Sequence, residues 1–302
     1  MASGAAGDRQ RRADGGAGSS TGRVVDRAFW NGRHVALTGG TGGIGLAATE
    51  LLVRAGAHVT VIASDGAKAE ALRDRMLPNV VVAPADVADA GAVAAALDRG
   101  RAEHGAIRSV ITCAGITRPA YFQDLTDTDL RRQMEVNYFG TLYPVRLALP
   151  DLMSGRGGSI TCVSSAAGLL GVFGYGAYCP GKFAVRGLCE VLRQEYRPHG
   201  ITVTGVYPPD VDTPMLTAEQ PLKPPETLAL SSGEKPLTAL AVARAMLKGT
   251  ESGRASVVPG ASTKVLKWVA GAAPGLLFRY IDATIARARK GDVGRDAATR
   301  AS

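Results

Sequence analysis

With 302 residues, 46% of them hydrophobic and only 5% aromatic, the chain is long enough for one or two domains packed mainly by aliphatic side chains. Its net charge of +8 sits in the tails: residues 1–33 carry six Arg against three Asp, residues 261–302 carry eight Lys or Arg against three Asp, and the stretch between is balanced at 21 of each sign. That balance argues against a nucleic-acid partner. Four cysteines without a C-x-x-C pair and four scattered histidines exclude a disulfide framework and a metal centre, and suit a reducing, cytoplasmic compartment.

Residues 1–23, rich in Gly, Ser, Ala and Arg, hold no apolar run. They read as part of a disordered basic tail (1–33) and not as a secretory signal, so the protein is not expected to be secreted. His34 to Leu37 reads as a short buried strand, followed at once by Thr38-Gly39-Gly40-Thr41-Gly42-Gly43-Ile44-Gly45 and then by a helical pattern from Leu46 to Arg54. A glycine loop between strand and helix lets the backbone close on a pyrophosphate, which the helix N-terminus then holds. The spacing here is T-G-x-x-x-G-x-G, not the commonest dinucleotide fingerprint, but the strand before and helix after are the context such a loop requires.

A second strand ends at Ala63 and Ser64. An acid there would bond a ribose 2′-hydroxyl and repel a 2′-phosphate, so its absence permits NADP, with Thr41, Ser64 and Lys68 as candidate phosphate contacts and Asp65 adjacent. A third apolar strand precedes Asp86-Val87, and a fourth, Ile107 to Thr112, precedes Cys113-Ala114-Gly115. Asn137 lies in a helical run, Val136 to Gly140. The alternation continues to Pro259 and predicts an α/β fold: a Rossmann-type doubly wound parallel sheet in a single domain, 34–260.

Tyr178 and Lys182 stand four apart, thirteen and seventeen residues after Ser165. On a helix such positions share a face, which sets an ammonium beside a phenol. A free phenol titrates near pH ~10; a neighbouring cation is expected to lower that value and make Tyr178 a usable acid–base group. Pro180 lies inside the motif and is tolerated only in a first helical turn, so the helix should begin near Ala177 to Cys179. Residues 209–236 hold six prolines and read as a long functional loop. Val265 to Ile281 is apolar but interrupted by Lys267, Pro274 and Arg279. It is too broken to span a bilayer and is open to two readings: a peripheral membrane contact, or an element packed on the core or a second subunit, in a C-terminal extension from 261 to 302.

These motifs, in this order, resemble the short-chain dehydrogenase/reductase family. The resemblance implies that Tyr178 donates the proton, Ser165 holds the carbonyl oxygen, Lys182 lowers the phenol pKa and grips the nicotinamide ribose, and Asn137 organises a water chain to Lys182. It also implies cofactor contacts at Thr38, Gly39, Thr41, Gly42, Gly43, Ile44, Gly45, Ser64, Asp86, Val87, Cys113, Ala114, Gly115, Pro208, Val211 and Thr213, with NADPH favoured over NADH, and a homodimer or homotetramer. Cys113 stands where the family usually has asparagine, and Ser64 where NADP-specific relatives often have arginine. Within the family, Tyr207-Pro208-Pro209-Asp210, Lys223-Pro224-Pro225-Glu226-Thr227, Tyr138 to Pro144 and Gly171-Val172-Phe173-Gly174 are similar to the branch that reduces 3-ketodihydrosphingosine with NADPH. That implies a lipid-like ketone as substrate. A ketoreductase of carrier-bound 3-ketoacyl or polyketide groups, and a catalytically silent nucleotide-binding scaffold, are the alternatives.

Overall fold

Short runs of β-branched and aliphatic residues, buried on both faces, build a sheet that only parallel pairing between helical layers accommodates. In the computed structural model, which describes residues 25–74, 79–155, 157–232 and 235–300 (side chains at 73–74 and 291–300 excepted), these runs are β1 (His34–Thr38), β2 (His58–Ala63), β3 (Val80–Pro84), β4 (Ser109–Thr112), β5 (Gly158–Val163) and β6 (Ile201–Val206). Two short pieces, β7 (Val211–Asp212) and β8 (Leu237–Thr238), pair with each other, and β9 (Ser256–Val257) closes the main sheet. The order is β3-β2-β1-β4-β5-β6-β9 with every pairing parallel. The chain winds outward from β1 to β3 and returns to β4 on the other side of β1. A crevice therefore opens at the carboxyl ends of β1 and β4, where such sheets bind ligands.

Before the sheet comes α1 (Arg27–Trp30). One layer over the sheet holds α2 (Gly43–Arg54) and α3 (Gly66–Asp74), the other α4 (Ala90–His104); then follow α5 (Asp127–Met134), α6 (Gly140–Ser154) and α7 (Tyr178–Tyr196). The second core unites Leu97, Val145, Leu152, Val185 and Leu192 with Ile160; the first unites Leu51, Leu52, Met246 and Leu247 with Val35 and Leu37. A π-helical turn, Glu135–Phe139, joins α5 to α6, and such turns often mark functional sites.

Two segments differ from the sequence expectation, and the C-terminal extension, left open there, packs on the protein. The segment 25–33 is folded, not tail: Trp30 is fully buried, and its indole Nε1 donates to Glu251 Oε1 at 2.6 Å. The expectation for residues 1–23 lies outside the described residues. The proline-rich stretch is not a plain loop, since α8 (Pro214–Glu219) and α9 (Pro225–Ser231) form in it. Both begin on a proline, whose missing N–H costs nothing at the first helical position. Together they make a lid over the crevice, after which α10 (Ala239–Glu251) returns to the core. Finally, α11 (Ala261–Ala272) and α12 (Pro274–Arg300) turn back onto the lid: Leu277 is buried, and Arg289 Nε donates to Glu226 Oε1 at 2.9 Å. Val265, Trp268, Leu276, Phe278 and Tyr280 stay exposed. No described helix is long and apolar enough to cross a membrane.

Candidate active site

The glycine loop leaves β1 through Gly39, whose φ of +71° belongs to the left-handed region that favours glycine. A Cβ there would stand 2.7 Å from the Ala114 nitrogen, so the turn also depends on close approach to the chain after β4. A Cβ on Gly45 would collide with the Gly39 carbonyl. Helix α2 then starts behind Gly42 with no side-chain hydrogen bond to its first N–H groups. Uncapped donors at a helix N-terminus are suited to a phosphate, and Thr41, Gly42, Gly43, Ile44 and Gly45 line the crevice. The residues present therefore fit a dinucleotide pyrophosphate.

Further along the same wall lie Ala63 and Ser64 at the end of β2, Asp86 and Val87 after β3, and Cys113, Ala114 and Gly115 after β4. Neither Ala63 nor Ser64 carries charge. Lys68 is exposed and holds Asp65 at 2.8 Å, so cation and carboxylate stand together just beyond the end of β2. Arg132 Nη2 donates to Asp86 Oδ2 at 2.8 Å. Burial would raise the Asp86 carboxyl, but the Ala88 N–H and the Arg132 guanidinium hold it below the usual carboxylate range. The Cys113 thiol is pushed up to about 12 by burial, so it stays neutral. Pro208, Val211 and Thr213 line the crevice from the lid side. A Cβ on Gly43 would stand 3.0 Å from the Thr213 methyl.

The reacting groups come from β5 and α7. Ser165 follows β5 and also caps a short turn, its hydroxyl accepting from Ala167 N at 3.1 Å. Helix α7 begins at Tyr178, so Pro180 falls in its first turn. Lys182, Val185, Cys189 and Leu192 recur at three- and four-residue spacing on its buried face, which draws Lys182 into the interior. There its ammonium donates to the Val163 carbonyl at 3.2 Å and lies 5.4 Å from the centre of the Tyr178 ring. Ser164 Oγ donates to the Lys182 carbonyl at 2.8 Å, which ties α7 to the end of β5.

Ionisation departs from the sequence expectation. Burial pushes the Tyr178 phenol up, a hydrogen bond with Ser165 draws it back, and the carboxylates of Glu219 and Asp210 push it further. The shift is upward, opposite to the lowering that the Tyr178–Lys182 spacing led one to expect, because burial outweighs the neighbouring cation. Lys182 is itself lowered to about 8 by burial, against the pull of Cys113 and Cys162.

Two other expected residues sit behind the crevice wall. Thr38 and Asn137 are fully buried and are not among the residues lining the crevice. Thr38 Oγ1 accepts from Ala114 N at 3.3 Å. Asn137, in the π-helical turn, accepts from Ile116 N at 3.2 Å and donates to Ile116 O at 3.0 Å. A Cβ at Gly115 would stand 2.9 Å from Asn137 Oδ1 and 3.4 Å from Lys182 Nζ, so glycine is what lets these groups flank one another. Both Thr38 and Asn137 are thus bonded to the chain after β4.

Sequence reasoning missed a polar group in the lid half: Tyr175 donates to Glu219 Oε1 at 2.9 Å, and Lys223 Nζ lies 3.0 Å from the same oxygen. The four-residue step from Glu219 to Lys223 was its one readable signal. All of these groups line a single cavity of about 1350 Å³, which runs on to Leu266, Val269, Leu277 and Ile281 of α11 and α12.

Comparison with known proteins agrees with this geometry. The sequence profile for short chain dehydrogenases matches residues 33–223. A 3-ketodihydrosphingosine reductase of Dictyostelium discoideum is 32% identical over 84% of this chain and 83% of its own length. A 3-dehydrosphinganine reductase of Danio rerio is 38% identical over 67% of this chain and 63% of its own length. A short chain dehydrogenase from Burkholderia cenocepacia, solved in complex with NADP, superposes with a TM-score of 0.71 at 27% identity, over 83% of this chain and 98% of that one. The glycine loop, the strand order and the Ser165–Tyr178–Lys182 cluster thus occur in a chain that belongs to the short-chain dehydrogenase family.

Proposed function

We propose that the protein is an NADPH-dependent reductase that converts the ketone of a lipid-like 3-keto base, of the 3-ketodihydrosphingosine class, to the alcohol. The observation that carries this reading is the cavity itself. Its volume of about 1350 Å³ takes in the dinucleotide half, and beyond Tyr178 it runs on into aliphatic walls at Leu266, Val269, Leu277 and Ile281. The names of the relatives over most of the chain support the same substrate class.

Bound NADPH supplies the hydride for the carbonyl carbon. Ser165 donates a hydrogen bond where negative charge grows on the oxygen, the position at which preorganised donors act most strongly. Tyr178, neutral and held by Ser165, gives that oxygen its proton. Lys182 would hold the ribose hydroxyls with its ammonium and pass the phenol a replacement proton, while Asn137 and Thr38 keep the chain after β4 in register. The neutral Ala63–Ser64 step, which sets no carboxylate against a 2′-phosphate, supports NADPH over NADH. Absorbance at the reduced nicotinamide band, followed against a chain-length panel of 3-keto long-chain amines and other ketones, tests this. Reduction of short or carrier-bound ketones in preference to the long-chain amines would overturn it.

The exposed Val265, Trp268, Leu276, Phe278 and Tyr280, beside Lys264, Lys267, Arg279 and Arg287, further support a cytoplasmic enzyme that rests peripherally on an anionic membrane surface. Flotation with anionic vesicles should fall as salt rises. Exposed Phe183 and Val191 on α7 and Met153 on α6 support self-association through that face, as a homodimer or homotetramer. Sedimentation of wild type against Phe183→Glu reads it.

A further inference from the structure

The substrate half of the cavity carries a charge pattern that a plain ketone does not need. Lys223 has a side chain only 1% exposed, and its ammonium lies 3.0 Å from Glu219 Oε1 and 3.3 Å from Asp210 Oδ2. Tyr175 donates to the same Glu219 oxygen, and its ring centre stands 5.7 Å from that of Tyr178. Two carboxylates thus share one buried ammonium, with Lys235 exposed on the rim. Glu219 is enclosed by Tyr175 and Lys223. Asp210 is the open member: its side chain is 47% exposed and it forms part of the cavity wall.

A negative field beside the reacting carbonyl is an obstacle, because the oxygen becomes an alkoxide during reduction. Both carboxylates already act on the Tyr178 phenol in that sense. A cation carried by the substrate on the carbon next to the ketone reverses the sign of this field where it matters. The opposite end of the same cavity is aliphatic, walled by Leu266, Val269, Leu277 and Ile281. The cavity is therefore polarised along its length, charged beside Tyr178, where Glu219, Asp210, Lys223 and Lys182 gather, and apolar toward α11 and α12.

We propose that Asp210 is a specificity-determining residue: it receives the protonated amine of an amphiphilic α-amino ketone, is oriented by Lys223, and leaves the alkyl tail to run toward α12. This rests on the reading of the chain as a reductase of long-chain ketones and adds which head group it selects.

The test compares kcat/KM for a long-chain 2-amino-3-ketone with that for the same ketone lacking the amine, in wild type, Asp210→Asn and Asp210→Glu. A charge-assisted hydrogen bond is worth roughly 10- to 100-fold. Wild type should prefer the amino ketone by about that factor. Asp210→Asn should lose far more on the amino ketone than on the other, and Asp210→Glu should regain part of the preference. NADPH affinity by fluorescence titration checks that each variant is folded. No preference in wild type, or an equal loss on both ketones in Asp210→Asn with NADPH binding intact, overturns the proposal. If wild type reduces neither ketone, the proposed activity fails instead, and Asp210 is then tested by binding alone. A long-chain 2-amino alcohol, titrated into the NADPH complex, should bind wild type about tenfold more tightly than Asp210→Asn. Equal affinities would overturn the assignment.

Discussion

Burial and not proximity governs the ionisation of Tyr178 and Lys182. The phenol is raised and stays protonated, while the ammonium is lowered to about 8. Tyr178→Phe keeps the ring and removes the donor. It is expected to cut kcat and kcat/KM together by about 10²- to 10⁴-fold, with NADPH affinity nearly unchanged; wild-type turnover would remove Tyr178 from the mechanism. Because Lys182 is cationic below its folded pKa and neutral above it, reduction should decline as pH rises through about 8, and not near the ordinary lysine value of 10.5. A pH profile of kcat/KM checks this. Spacing singled out Tyr178 and Lys182, and the resemblance to the family, carried by the glycine loop and the order of the motifs, added Ser165 and the roles. The partnership of Tyr175 with Glu219 was not legible. It joins residues 44 apart through the lid, and no local pattern records that fold-back.

At the scale of elements, the helix at the start of the fold carries a large share of packing for its length. Trp30 is enclosed against α2 and α10, and its indole is anchored on Glu251. Trp30→Ala is expected to destabilise the protein by about 3–5 kcal/mol, the range for large aromatic truncations in cores. Denaturant titration measures it, and a loss under 1 kcal/mol would show that α1 is only loosely docked. The first four strands could be read from their apolar runs, because strands buried on both faces are mostly apolar. The segment 25–33 was misread as tail because four helical residues with one tryptophan give no periodicity. The lid was misread as loop for a related reason: its prolines announce irregular backbone, yet two of them stand where helices start.

Across the whole molecule, chemistry and acid sensitivity occupy opposite ends of the sheet. The crevice lies at the carboxyl ends of the strands, whereas His34 and His58 stand at the amino ends of β1 and β2, with His104 against both rings. His34 Nδ1 donates to Gly105 O and its Nε2 pairs with the Thr60 hydroxyl, both at 2.8 Å, and burial lowers it to about 4. An unfolded chain would bind that proton near pH 6.5, so stability attributable to His34 is full above that value and is lost as pH falls toward 4. The loss should amount to at most about 3 kcal/mol. Melting temperature measured between pH 7 and 4 should fall less steeply in His34→Asn than in wild type, and parallel slopes would remove His34 as the cause.

The ion pair between α12 and α9 has a kinetic consequence. Arg289 is 62% exposed while the Glu226 carboxylate is 4% exposed, so the pair is a buried anion held from outside by a solvent-facing clasp. Burial would raise Glu226, but Arg289 and the Tyr121 hydroxyl keep it ionised. The pair joins the lid to the C-terminal helix, so an opening that keeps it must carry both together. We expect such an opening, more than proton transfer, to set the turnover of long-chain ketones. Arg289→Ala should uncouple the two leaves, speeding discharge of product and raising KM for the longest chains about threefold or more while short ketones are little affected. Rapid-quench measurement of an NADPH burst followed by slow steady turnover in wild type, with the burst lost in the variant, reads the gate directly; a burst of equal size in both would mean that the flap opens without undoing the clasp.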